Sequence, residues 1–156
     1  MVDSSDSVAG GKKYASSLLI LRLALGGFLF LWAIEKFIIP GKVIKLNKKF
    51  FMGTVDDVGM TYALGAVLTI MAVAFIIGAY KRWVYLYGFS IHAVTVVFTW
   101  YRVVDPYGLM EKGGLFRGKP EHLFLASIPV LAAFWLLYVM RDSDTKLCSR
   151  IGNDGS

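Results

Sequence analysis

The chain has 156 residues, enough for one domain, and 56% of them are hydrophobic while only 18% are charged. Soluble domains usually carry about 25% charged residues, and a chain this small cannot bury so much apolar surface in a soluble core. The net charge of +6 comes from lysines and arginines that lie mostly at the ends of apolar segments, where they would meet phospholipid headgroups. The composition therefore favours a membrane protein. It argues against nucleic-acid binding, because no basic stripe with interleaved aromatic residues occurs.

Four apolar segments predict four transmembrane helices. They are expected at about 16–39, 58–80, 83–104 and 121–140, and the breaker pair Pro40-Gly41 is expected to end the first. Each is near the ~20 residues needed to cross ~30 Å of hydrocarbon. The first segment is much longer than the ~7–15 apolar residues of a signal peptide, so it is predicted to be an uncleaved span. The predicted fold is all-α, an integral membrane four-helix bundle.

The bundle is expected to occupy residues 16–141, between a flexible N-terminal tail (1–15) and a flexible C-terminal tail (142–156). Residues 41–57 mix four lysines with apolar side chains and predict a short interfacial helix between the first two spans. An even number of crossings puts both termini on one side of the inner (plasma) membrane. Basic residues are nearly balanced between the two sides, so a cytoplasmic location is preferred because Cys148, the single cysteine, would stay reduced there.

One face of the third predicted helix is polar from end to end, and it is expected to look into the bundle or into a water-filled cavity. Six residues recur on it at steps of three or four and fall within about 100° of one another: Tyr85, Gly88, His92, Thr95, Thr99 and Arg102. Arg22 begins a second, sparser polar face on the first helix. Two interpretations stay open for these residues.

In the first interpretation, Thr95 and Thr99 bond to carbonyls of their own helix and His92 makes one hydrogen bond between helices. In the second, the stripe lines a pocket for a polar headgroup such as a quinone, or relays protons, since polar groups inside a membrane are costly and often functional. The ligand-binding residues predicted by the second interpretation are His92, Thr95, Thr99, Arg102, Arg22 and Tyr85.

A charged cluster is expected on the side of the bundle away from the termini, with a solvated rim as the alternative. Its members are Glu35, Lys36, Asp105, Glu121 and His122. No haem is expected, because His92 and His122 differ in height by about 15 Å at 1.5 Å per residue. No metal site is expected either, because no three ligands cluster at one depth.

Short motifs along the chain resemble the DoxX-like family of small four-helix bacterial membrane proteins. Residues 21–26 read LRLALG and residues 32–36 read WAIEK, similar to the family's first helix with its Arg, small-residue stretch and terminal Lys. Gly78 and Arg82 match a Gly-x-x-x-Arg close to the second helix, and residues 121–125 (EHLFL) resemble the family's Glu before a Leu-rich last helix. The resemblance covers most of residues 18–144.

The resemblance implies quinone-linked redox chemistry, such as sulfur-compound oxidation, beside a second protein subunit or in a homo-oligomer. The expected function is therefore that of a DoxX-like membrane subunit with a quinone as its cofactor. A non-enzymatic membrane scaffold and a small-molecule permease are the alternatives. Whether the chain is itself an enzyme is left open, because it has no evident electron carrier of its own.

Overall fold

The computed structural model describes residues 4–105 and 126–151, with side chains from Tyr14 onward. Every regular element in this part of the chain is helical, which confirms the all-α class for these residues. The helices are α1 (Ser4–Ile38), α2 (Pro40–Phe50), α3 (Val58–Ile77), α4 (Lys81–Phe98), α5 (Trp100–Val104) and α6 (Ser127–Val139), and a 3₁₀ turn (Arg141–Ser143) follows α6.

Local sequence signals explain where the first three helices begin and end. α1 ends at Ile38 because Pro40 disfavours helical geometry in the residue before it, and the same proline then occupies the first position of α2. Asp57 caps α3 by accepting a hydrogen bond from the Met60 N–H at 3.1 Å. α3 ends at Gly78, whose φ of 65° is left-handed and suits glycine.

The third predicted helix is two helices, which corrects the single span expected at 83–104. α4 and α5 are separated at Thr99. The Thr95 hydroxyl donates to the Ile91 carbonyl at 3.0 Å, and the Thr99 hydroxyl donates to the Thr95 carbonyl at 2.7 Å. Threonine hydroxyls that bond back to their own helix carbonyls weaken and bend the helix.

The helices pack in two pairs, α1 along α3 and α4 along α6, around a shared aromatic centre. The Phe75 ring of α3 contacts Tyr85 of α4 at 4.9 Å and Phe134 of α6 at 5.7 Å between ring centroids. All three rings are fully buried. Edge-on and tilted aromatic pairs of this kind add to the stability from burial alone. The centre therefore ties both helix pairs into one core.

Among the residues that the structure describes, two helices are long and apolar enough to cross a membrane. They are the stretch Tyr14–Ile38 of α1, with 25 residues, and α3, with 20 residues. At 1.5 Å per residue, a 20-residue helix is about 30 Å long, the thickness of the hydrocarbon layer. The outer faces of both helices are apolar, and Ile20, Leu31 and Ile70 are 69%, 72% and 68% exposed.

Replacing Gly88 by alanine should destabilise the protein, although alanine is the better helix former. A Cβ at this position would lie 2.8 Å from Phe75 and 3.0 Å from Phe134, whose rings are fixed in the core. Overpacking of this kind typically costs about 1–3 kcal/mol. Gly27→Ala is the control, since no heavy atom lies within 4 Å of its Cβ position. That variant should gain up to ~1 kcal/mol from helix propensity.

The two variants are compared by denaturant unfolding in one detergent. Equal stability of Gly88→Ala and Gly27→Ala would contradict the close packing of Phe75 and Phe134 around Gly88.

Candidate functional site

The polar stripe on α4 and α5 is turned toward the protein interior, as predicted. Tyr85, His92, Thr99 and Arg102 are all buried. Its hydrogen bonds follow the first interpretation: Thr95 and Thr99 bond to their own helix, and His92 Nε2 lies 3.1 Å from the Ser127 carbonyl of α6. Because a carbonyl only accepts, Nε2 is the donor of this bond. The stripe therefore contributes to holding α4 against α6.

Arg22 and Tyr85 lie apart from the other members of the predicted ligand set, in a fully buried cluster with Asp144. Arg22 Nη1 is 2.8 Å from Asp144 Oδ2, and the Tyr85 hydroxyl donates to the same oxygen at 2.5 Å. The guanidinium also donates to the Cys148 sulfur at 2.6 Å and to the carbonyls of Lys146 and Leu147. A buried charge needs this kind of pairing, since an uncompensated one costs several kcal/mol.

The cluster places the C-terminal segment against the bundle. The Ser149 N–H donates to the Ile77 carbonyl at 2.8 Å, and the Tyr80 N–H donates to the Ile151 carbonyl at 3.0 Å. The first of these bonds satisfies a carbonyl at the end of α3 that has no partner within the helix. Residues 142–151 of the segment expected to be a flexible tail are thus in contact with Ser16 and Arg22 of α1, with the end of α3 and with the start of α4.

Asp144 and Cys148 are the residues of this cluster that the sequence-based prediction missed. Both lie in residues 142–156, which the sequence predicts to be a flexible C-terminal tail. A signal was nevertheless present: a buried arginine requires an acidic partner, and Asp142 and Asp144 are the nearest acids after the last helix. The sequence does not tell the two aspartates apart, because the backbone conformation of the turn after the last helix decides which carboxylate faces Arg22.

A cleft of about 270 Å³ lies at the other end of α1, enclosed by α1, α2, α3 and α4. Lys36 is 14 residues beyond Arg22, or about 21 Å along the helix. The wall of the cleft is mainly apolar. Residues that line it include Trp32, Lys36, Asn47, Leu64, Leu68 and Thr95. A mainly apolar pocket with a few polar groups is the usual form of a small-molecule site.

Lys36 is the most buried polar residue on the cleft wall, with 6% of its surface exposed. Its Nζ donates to the Trp32 carbonyl at 2.7 Å and lies 4.5 Å from the centre of the Trp32 ring. Its neighbour Glu35 pairs with Lys42 of α2 at 3.0 Å. A lysine ammonium has three donors and no acceptor. Lys36 can therefore present further N–H groups to a molecule in the cleft.

The structure brings together only part of the predicted sites. Glu35, Lys36 and Thr95 line the cleft, whereas His92, Thr99, Arg102, Arg22 and Tyr85 are not among its lining residues. Asp105 is buried at the end of α5, away from that lining. Glu121 and His122, the other members of the predicted charged cluster, lie outside the described residues.

Replacing Asp144 by alanine should destabilise the protein by about 3–5 kcal/mol, because Arg22 would be left as an uncompensated buried charge. Asp142→Ala is the matched control. The Asp142 side chain is 66% exposed and lies 3.8 Å from Arg141, so its loss should change stability by less than about 0.5 kcal/mol. Thermal unfolding in detergent measures both.

The native thiol supplies a second measurement. Undocking of the C-terminal segment in Asp144→Ala should raise the rate at which Cys148 reacts with a maleimide, while Asp142→Ala should react as the parent does. Equal stability and equal labelling of the two variants would contradict the role given to the buried pair.

A scan against models of protein families, a comparison with curated proteins and a comparison with solved structures find no match to this chain. The similarity to the DoxX-like family is thus carried by the short motifs alone, and its implications for function are proposals. The described part of the chain is helical, with a buried ion pair between Arg22 and Asp144 and, about 21 Å further along α1, an apolar cleft beside Lys36.

Proposed function

We propose that this chain is a multi-pass protein of the inner membrane, with α1, α3, α4 and α6 crossing the bilayer as a four-helix bundle. Support comes first from α1 and α3, since only 33% and 28% of the residues in their most apolar stretches are buried inside the protein. The core helix of a soluble protein would be mostly buried. Lipid chains are the natural cover for such apolar surfaces.

α4 and α2 fit the same proposal. The 18 residues of α4 extend about 27 Å, and its polar face is turned to the protein rather than outward. α2 carries four exposed lysines and turns Phe50 inward. A short helix of this kind suits the interface, where its basic groups meet lipid phosphates. In this arrangement α2 lies at one membrane surface and the Arg22 cluster lies near the other.

The proposed topology predicts that Ser5 and Ser156 lie on one side of the membrane and Lys45 of α2 on the other. Single cysteines at these positions, in a Cys148→Ser background, are labelled in intact cells with an impermeant maleimide. The first two should react alike, and the Lys45→Cys variant should behave oppositely. Labelling of Ser5→Cys and Ser156→Cys from opposite sides would overturn the four-span topology.

We further propose that the cleft binds the headgroup of a quinone-like amphiphile. The proposal rests mainly on the ammonium of Lys36, which lies in the wall of an apolar cleft. A quinone carbonyl is a hydrogen-bond acceptor and matches this donor. The cleft volume, about 270 Å³, is below the usual ~300–1,000 Å³ of drug-sized pockets. A headgroup would occupy it, and an isoprenoid tail would leave between the helices toward lipid.

The proposal places the chain in a redox system as the quinone-binding subunit. The chain has no evident electron carrier, so a partner subunit would deliver electrons to the quinone, which supplies the redox chemistry. The DoxX-like resemblance fits this role, since members of that family are linked to quinone-dependent thiosulfate oxidation beside a second subunit. What this chain contributes is an apolar cleft, a donor for the headgroup and exclusion of water.

A non-enzymatic membrane scaffold is the second candidate. The hydrogen bonds of His92, Thr95 and Thr99 favour it, because all three side chains bond to helix carbonyls of the protein itself. A polar stripe satisfied in this way stabilises helix packing and needs no ligand. The two candidates differ in whether the purified protein carries a quinone.

Lys36→Met should lower the amount of quinone that co-purifies with the protein from quinone-replete membranes. Methionine keeps the length and apolar stem of lysine but removes the donor. Loss of a hydrogen bond from a charged group costs about 1.5–3 kcal/mol, which corresponds to roughly 10- to 150-fold weaker binding. Lys45→Met, at an exposed position of α2 outside the cleft, should retain the parental amount. Quinone is measured in organic extracts by chromatography and absorbance.

His92→Leu separates the cleft from the site predicted on the α4 stripe. Binding in the cleft predicts that this variant keeps its quinone, whereas binding at the stripe predicts a loss in His92→Leu and none in Lys36→Met. A parent protein that carries no quinone would favour the scaffold.

A further inference from the structure

Two buried cations on α1 have opposite surroundings. Arg22 pairs with Asp144 at 2.8 Å, so its charge is balanced within the chain. Lys36 has no carboxylate within ion-pair distance among the residues that the structure describes, and its partner is the neutral Trp32 carbonyl. A buried charge without a counter-ion is costly. Among the described residues, Lys36 is thus a buried cation that no carboxylate pairs with directly, an environment that suits an anionic ligand.

The nearby acid does not fill this role. Glu35 lies on the cleft wall, but its carboxylate pairs at 3.0 Å with Lys42, and both side chains are partly exposed at the mouth. Among the cleft residues, the charged side chains are thus two lysines and one glutamate, a formal charge of +1. The excess positive charge is that of Lys36, at the more buried part of the wall.

Asn47 adds a second donor to the cleft. Its Oδ1 accepts from the Val55 N–H at 2.9 Å and from the Thr54 hydroxyl at 3.2 Å, which leaves the NH₂ group as the end with unused hydrogen-bonding capacity. The Thr95 hydroxyl donates its proton to the Ile91 carbonyl and adds no donor. Lys36 and Asn47 therefore present N–H donors to an acceptor on the headgroup of a ligand.

We propose that the ligand of the cleft carries a negative charge on its headgroup, as a carboxylate or an enolate on an apolar body, and that this charge pairs with Lys36. The inference rests on the proposed ligand-binding role of the cleft and specifies the chemical class of its ligand. Two sources share this chemistry: a quinone bearing an acidic ring hydroxyl, and a long-chain fatty acid from the membrane. Lys36 is then the residue that selects charged headgroups over neutral ones of the same shape.

The test uses two pairs of probes, each matched in shape and different in charge. One pair is a 2-hydroxy-3-alkyl-1,4-naphthoquinone and its methyl ether, and the other is oleate and methyl oleate. Dissociation constants are measured at neutral pH by calorimetry on the full-length protein in a neutral detergent. In at least one pair, the anionic member should bind tenfold or more tightly than the neutral member. The pair that shows this preference identifies the source of the ligand.

Variants at Lys36 connect the preference to this side chain. Lys36→Met should bind both members of the pair equally, Lys36→Arg should keep the preference because it keeps the charge, and Lys45→Met should behave as the parent does. A preference that survives in Lys36→Met would overturn the proposal.

Failure of this inference is distinguishable from failure of the proposed function. If neither pair shows a preference for its anionic member and both naphthoquinones are weakened in Lys36→Met, the cleft is a quinone site and the charge selection is wrong. If none of the four probes binds, both the charge selection and the proposed ligand-binding role of the cleft are wrong.

Discussion

The buried charge of Arg22 is the constraint on which the arrangement of this protein depends. A guanidinium that is fully inside the helical bundle must find an anion there, and the only one bonded to it in the described residues is Asp144, 122 positions later in the chain. Meeting that requirement brings the end of the chain back to the start of the bundle. The Tyr85 hydroxyl adds α4 to the same carboxylate, and Gly78 leaves room for the guanidinium where a Cβ would lie 2.8 Å from Nη1.

The docked C-terminal segment in turn completes the ends of the helices. It supplies a donor for the last carbonyls of α3 and carbonyls for the side chains of Lys81 and Arg22. Backbone groups at helix ends lack partners within the helix, and burying them without partners would be costly. One ion pair therefore positions a segment whose backbone then stabilises the neighbouring helix ends.

Lys36, in the last turn of α1, is a second buried cation with different surroundings from those of Arg22. Gly65 of α3 lets the two helices approach closely beside it, since a Cβ there would lie 2.9 Å from the Lys36 Cβ. The close approach buries the lysine stem, while α2 and α4 leave a cleft in front of its ammonium. α1 thus carries one buried cation that is paired with a carboxylate, Arg22, and one that lines a cleft with no carboxylate bonded to it among the described residues, Lys36.

The sequence by itself determined the helical class, the break at Pro40-Gly41 and the inward direction of the α4 stripe, because these depend on local periodicity and on backbone geometry over a few residues. It also singled out Arg22, Lys36 and Thr95, because polar residues within apolar helices stand out when the sequence is drawn on a helical wheel. Only the tertiary structure decided which partner each one has. How helices far apart in the sequence cross decides whether Arg22 pairs with Asp142 or with Asp144. The same crossing decides whether Thr95 lines a cleft beside α2. Residue spacing within one helix carries no information about that crossing.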